Sequence, residues 1–130
     1  MPSAVLDVNI IVSGFFRGKG SAVTIAGHWE QGNLDVGLSD HIVSQVIDVW
    51  RRPFFAERSV EIHRKLALRL MRTDALVVEP DPSVSGVCDD AEDDHVLGTA
   101  VAANADYLVT GDRGLLRVGE YRGVRPNSWS

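Results

Sequence analysis

The segment Ala4-Val5-Leu6-Asp7-Val8-Asn9-Ile10-Ile11-Val12-Ser13 opens the chain with an apolar run that one acid interrupts. Such a run reads as a central, buried strand of a parallel sheet, with Asp7 where the strand should end. Ligands of open α/β sheets bind outside the carboxyl ends of the strands. Asp7 is therefore either the cap of a following turn or part of a site, and taken alone the two readings are even. Two distant stretches shift the balance. Asp93-Asp94 and Thr110-Gly111-Asp112 stand at similar junctions.

Outward from this strand, helical and extended periods alternate. Gly14 to Gly20 reads as a loop. Ser21 can cap a helix to about Glu30, with Val23, Ala26 and Trp29 at helical spacing. Leu34 to Leu38 reads as a short strand. Ser39 or Asp40 caps a second helix whose apolar stripe runs from Ile42 to Trp50, and Pro53 stops it. A third helix is expected from about Glu57 to Thr73, then a strand over 75–79. An acidic loop follows from Pro80 to Asp93, then a small-residue helix from His95 to Asn104 with Asp94 at its N-terminus. Asp106 to Thr110 reads as a strand, Gly111 to Gly114 as a turn, Leu115-Leu116 as a helical turn, and the region of Gly123-Val124 as a last strand. This alternation predicts one three-layer α/β domain over residues 1–130, with a mainly parallel sheet and Asp7 and Asp112 on one edge.

Composition excludes several classes. A hydrophobic fraction of 45% and a charged fraction of 24% are those of an ordinary globular domain. No apolar run approaches the roughly 20 residues that span a bilayer, and no basic region precedes an apolar core as in a signal peptide. A single cysteine, Cys88, rules out an internal disulfide and fits a reducing cytoplasm. The net charge of −5 argues against broad electrostatic binding of nucleic acid. Its distribution is uneven, however. Residues 51–72 carry seven bases against Glu57 and Glu61, and residues 74–94 carry eight acids and no base. A solvated helix face and a loop would explain these blocks. So would a phosphate-binding flank beside a cation-binding pocket.

Carboxylates gathered without a cation raise one another's pKa and cost stability, so a cluster of them suggests a hard divalent ion. Such ions can activate water and stabilise a leaving oxygen in phosphodiester cleavage without a Ser, Cys or His nucleophile. No nucleophile elbow, zinc-protease helix or Walker lysine occurs in the chain. Each acid also has a structural reading: Asp94 as a helix cap, Asp112 as an Asx-turn, and Asp89, Asp90, Glu92 and Asp93 as a mobile acidic loop. Thr110 is placed to hold the Asp112 turn by its hydroxyl. His28, His41, His63 and His95 lack metal-ligand spacing and read as structural or surface residues. Trp29 and Trp50 read as core.

Three stretches together resemble the PIN-domain family: V-L-D-V-N-I-I-V-S at the start, L-S-D-H-I with V-W-R-R-P-F-F in the middle, and D-D-A-E-D-D-H-V-L-G-T-A-V-A-A-N-A-D-Y-L-V-T-G-D-R-G-L-L near the end. The likeness runs from Ala4 to about Val124. It is strongest to the small prokaryotic branch of toxin components of type II toxin–antitoxin systems. The resemblance implies a Rossmann-like sheet flanked by helices and a ribonuclease that uses Mg²⁺ or Mn²⁺. It implies Asp7, Asp94 and Asp112 as the catalytic, metal-holding acids, with Asp90 beside them. Asn9, Ser13 and Thr110 would support the first acid, and Arg51, Arg52 and Arg113 would contact the RNA backbone. It also implies an antitoxin protein as partner, and the apolar helices allow a homodimer. One position departs from the family. Gln45 stands where a Glu is expected and could ligate a metal only through its neutral amide oxygen, and Asp48, three residues on, shares its helix face, so that either would complete the metal pocket. The alternative reading is therefore a weakened module that binds RNA or a protein without cutting. A phosphotransfer domain is disfavoured. Asn9 replaces the second acid of a dehalogenase-like phosphatase, and the paired acid and late lysine of a receiver are missing.

Overall fold

A computed structural model of the chain describes residues 1–16 and 20–129. Five strands form one sheet: β1 (Ser3–Leu6), β2 (Asp35–Leu38), β3 (Ala75–Val77), β4 (Tyr107–Val109) and β5 (Arg125–Asn127). Their order is β3-β2-β1-β4-β5 and every pairing is parallel. β1 lies at the centre, and its Val5 pairs with Gly37 on one side and Leu108 on the other. Parallel strands need crossover connections, and right-handed crossovers place helices over the sheet.

Seven helices make these connections among the described residues: α1 (Val8–Gly14), α2 (Ser21–Glu30), α3 (Asp40–Arg51), α4 (Pro53–Arg58), α5 (Glu61–Thr73), α6 (Ala91–Ala102) and α7 (Arg113–Val118). Successive strand residues face opposite sides of a sheet. Gly37 faces the end of α6, where a β-carbon would lie 2.8 Å from that of Ala103. Ala4, of opposite parity to Val5, lines a cavity with Thr24 and Ile25 of α2. Helices thus cover both faces, and the three-layer α/β expectation holds. The core between them includes Leu6, Ile11, Trp29, Leu38, Ile42, Leu70, Leu97, Leu108 and Leu115. Trp29 also ties α2 to the end of α5 by donating its indole N–H to the Asp74 carbonyl at 3.0 Å.

Several boundaries differ from the sequence reading, among them the last strand, which is Arg125–Asn127 rather than near Gly123-Val124, and β3, which ends at Val77 rather than residue 79. The apolar run after Asp7 is a helix rather than strand or loop: Val8, Ile11 and Val12 are buried at helical spacing. Short apolar runs do not distinguish the two by themselves. Pro53 ends α3 and also opens α4, because a residue without an N–H suits the first helical position. The helix expected from Glu57 is therefore two, α4 and α5, separated at Ser59-Val60. Finally, α6 begins at Ala91 rather than His95, with Asp90 as its cap. Of the loop expected over Gly14 to Gly20, residues 17–19 lie outside the described residues. Among those described, no helix is long and apolar enough to cross a membrane.

The tight seam at Gly37 is testable. Gly37→Ala should destabilise the protein by about 1–3 kcal/mol through overpacking, because Ala103 meets the new methyl with a β-carbon rather than a flexible tip. Gly27→Ala, with open space around it in α2, should instead be neutral or stabilising by about 0.4–1 kcal/mol. Urea denaturation of both variants checks the pair.

Candidate active site at the carboxyl edge of the sheet

β1 and β4 end side by side, which brings together residues 103 apart in sequence. The Asp7 backbone N–H donates to the Val109 carbonyl at 3.0 Å, continuing the ladder. The Asp7 side chain then serves two elements at once. One carboxylate oxygen accepts the Val8 N–H at 2.8 Å and caps α1. The other accepts the Thr110 hydroxyl at 2.7 Å. That hydroxyl in turn accepts the Asp112 backbone N–H at 3.0 Å. The Asp112 carboxylate caps α7, accepting from Gly114 at 2.7 Å and Leu115 at 3.3 Å. Burial raises the Asp7 pKa. The bonds from Thr110 and Val8 act against that shift, and the charge of Asp112 adds to it.

The third acid of this group is Asp93, not Asp94. A β-carbon on Gly114 would lie 3.0 Å from an Asp112 oxygen and 3.4 Å from an Asp93 oxygen, so the two carboxylates converge there. Asp93 accepts no side-chain hydrogen bond among the described residues. Its carboxyl is pushed up to about 6, by burial first and then by the charges of Asp112, Asp90, Asp7 and Asp94. Asp94 turns away. Its carboxylate accepts the N–H groups of Gly86 at 2.9 Å, Val87 at 3.1 Å and Cys88 at 2.8 Å. These bonds hold it below the usual carboxylate range, that to Cys88 most.

Helix phase explains the exchange. Asp90 caps α6 by accepting the Glu92 N–H at 2.9 Å, so Asp93 and Asp94 both lie in the first turn, about 100° apart. Asp93 shares a face with Leu97 and Ala100, buried in the core with the sheet. Asp94 shares a face with Gly98, which packs against the Asp81 backbone of the 80–90 loop. Acids are favoured in a first turn by the helix dipole, so the acid-rich tract belongs to helix as well as loop. A cap placed at Asp90 would have revealed this in the sequence.

The remaining residues fall outside this group. Gln45 donates its amide to Glu92 at 3.2 Å, and the same Glu92 oxygen meets the His41 ring nitrogen at 2.7 Å. His41 packs on His95 with ring centroids 4.4 Å apart, and His95 reaches the Ser39 hydroxyl at 3.1 Å. This polar bridge between α3 and α6, with Glu92 at its centre, had no signal in residue spacing. Asp48 is exposed and lies 4.0 Å from Arg51. Asn9 and Ser13 are exposed on one face of α1 and form no side-chain hydrogen bond among the described residues. Arg113 is exposed directly after Asp112, whereas Arg51 and Arg52 lie at the far end of α3.

Among the described residues, no three His, Cys, Asp or Glu side chains stand close enough together to hold one ion as they are. The donor set nevertheless fits a hard cation. It consists of carboxylate oxygens, and Asp93 is a half-buried acid whose neighbours are other acids.

Two outcomes follow for the Asp94 loop. Because the Asp94 pKa is lowered on folding, its contribution is present above the ordinary value of 3.8 and lost as pH falls below it. Asp94→Asn should therefore lower stability to urea at pH 7, and the gap to wild type should narrow as pH falls below 3.8. Cys88, whose thiol burial pushes up to about 12 with Asp94 adding to the shift, should react with an aromatic disulfide at pH 8 at least about a hundredfold more slowly than the unfolded chain.

No curated protein matches the chain. Among solved structures, it resembles the crystal structure of VapBC2 from Rickettsia felis bound to a DNA fragment from their promoter. That likeness has a TM-score of 0.61 and 13% identity, over 96% of this chain and 97% of the other. It is a likeness of fold. A family model described as PIN domain matches residues 3–114, which include Asp7, Asp93 and Asp112, and the chain belongs to the PIN-domain family.

Proposed function

We propose that the protein is a metal-dependent endoribonuclease, the toxin of a type II toxin–antitoxin pair. Family membership supports the nuclease class. The observation that carries the reading is the convergence of the Asp93 and Asp112 carboxylates at Gly114, with Asp93 raised to about 6 by burial first and then by the charges of Asp112, Asp90 and Asp7. A cation would relieve that mutual repulsion. In this reading Asp7, Asp93 and Asp112 hold Mg²⁺ or Mn²⁺, with Asp90 adjoining. Asp93 takes the role that the resemblance assigned to Asp94. When bound, a divalent cation supplies Lewis acidity at a phosphodiester and a water of lowered pKa.

The chain's own residues do the positioning. Thr110 fixes the Asp7 rotamer and, through the Asp112 N–H, the turn that carries the third carboxylate. Arg113 would meet the RNA backbone beside the acids, and Arg51 and Arg52 further along it. Asp94 is a positioning residue: it braces the 86–88 loop against α6. The VapBC2 likeness supports a protein antitoxin as partner. Complementarity asks of it a cationic group for the acidic pocket. A homodimer through the apolar helices and a cytoplasmic setting belong to the same proposal.

A second reading keeps the fold without turnover. The amide of Gln45 is committed to Glu92, so the missing Glu charge is not restored at that position. Gln45→Glu would place two carboxylates together and should disturb the bridge rather than repair it.

Cleavage of a mixed RNA pool in Mn²⁺ tests the assignment. Wild type should cut, Asp93→Asn should lose at least about a hundredfold of the rate, and Asp94→Asn should lose far less. Thermal denaturation gives a second readout: Mn²⁺ should raise the melting temperature of wild type and not of Asp93→Asn. Equal cleavage by Asp93→Asn and wild type would sink the site, and no cleavage with intact RNA binding would favour the second reading.

A further inference from the structure

The two edges of the sheet are finished differently. β5 ends one side with Arg125-Pro126-Asn127, whose proline has no N–H and whose arginine is exposed. A proline and a charge discourage a further strand. β3 ends the other side with Ala75-Leu76-Val77, followed by Val78, and carries neither. Leu76 pairs with Gly37 and Val77 with Leu38, so the two side chains face opposite sides of the sheet. Leu76 is 59% exposed and Val77 46%. Neither helical layer therefore reaches over this edge.

The backbone of β3 is open as well. The Val78 N–H donates to the Leu38 carbonyl at 2.9 Å. Backbone groups of successive strand residues point alternately to the two sides of a strand. Leu76 and Val78 therefore bond inward to β2. Ala75 and Val77 turn their N–H and C=O groups outward, where no strand follows among the described residues. Unpaired groups on an unguarded apolar edge are a template for another strand. Phe54 and Ile62 are exposed on α4 and α5, but a helix face offers no such backbone. Copies of the chain can meet helix to helix or edge to edge, and the exposed groups favour the edge.

We propose that β3 is an interface for a second copy of this chain, paired antiparallel about a two-fold axis through Leu76. In that register Ala75 stands opposite the copy's Val77, and Val77 opposite the copy's Ala75. Each such pair exchanges two N–H···O=C bonds, and the Leu76 side chains meet across the axis from backbones about 4.5 Å apart. Asp74 faces Val78 and Thr73 faces Glu79, so no like charges are opposed. The segment is its own complement, as a symmetric dimer requires. The axis stands perpendicular to the sheet, so the two acidic edges point in opposite directions and both stay open. An edge contact of this length buries less than about 1,200 Å². The dimer is therefore weak, with an expected Kd of about 100 µM.

Sedimentation velocity from about 5 to about 500 µM measures the association, and wild type should pass from monomer to dimer over that range. Leu76→Lys, which sets like charges face to face on the axis, should weaken association about tenfold. Val77→Pro should also weaken it, because it removes an outward N–H and leaves the inward bonds of Leu76 and Val78 in place. Circular dichroism checks that both variants fold. Hydrogen exchange read by mass spectrometry should slow over residues 74–78 as wild type is concentrated, and should not do so in Leu76→Lys. A dimer that both variants keep, or slowing confined to α3, α4 or α5, overturns the proposal. So does a chain that stays monomeric at every concentration, which leaves the edge to a strand of another protein. These readouts use neither metal nor RNA, so failure of the catalytic reading and failure of this one are distinguishable.

Discussion

The hydrogen bond from the Thr110 hydroxyl to Asp7 joins the two ends of the molecule's central register. It exists because β1 and β4 pair in parallel and finish level, Leu6 beside Val109. Through it one carboxylate caps α1, anchors the strand end and orients the turn that carries Asp112. Without that shared hydroxyl, Asp7 would be a buried acid held only by a neighbouring N–H, and burial would raise its pKa further. The rest of the edge is assembled around this constraint.

Stability and chemistry pull differently at the two neighbouring acids of α6. Asp94 is charged at little cost, because three backbone N–H groups converge on it and tie the 86–88 loop to the helix. Asp93 receives no such bonds and faces other acids. Its raised pKa means that folded protein without a cation loses stability as pH rises from about 4 through about 6. Perturbed groups of this kind cluster at functional sites. One residue braces the scaffold and the next carries the strain.

The Gln45–Glu92–His41 bridge gives the departure from the family pattern a physical setting. An amide can donate to a carboxylate where a second carboxylate would repel it, so the neutral residue at position 45 is matched to Glu92. His95 stacks behind, and the bridge joins α3 to α6 beside the acidic edge. The basic residues of α4 and α5 lie elsewhere.

Much of this was legible in the residues themselves. The apolar runs at Ala4, Val36 and Leu108 dictated buried parallel strands, and strands alternating with helices dictated a layered α/β domain with Asp7 and Asp112 on one edge. Those inferences rest on local period and on chain connectivity, both written in sequence. Whether Val8 to Gly14 continues as strand or turns into helix was not legible, because an apolar run of that length serves either. Nor was it legible which of two adjacent aspartates joins the site. That depends on the residue at which α6 begins, since each residue rotates the side chain by about 100°. Only packing of α6 on the sheet on one side, and on the 80–90 loop on the other, sets that phase. It turned Asp93 inward to the acids and Asp94 outward to the loop.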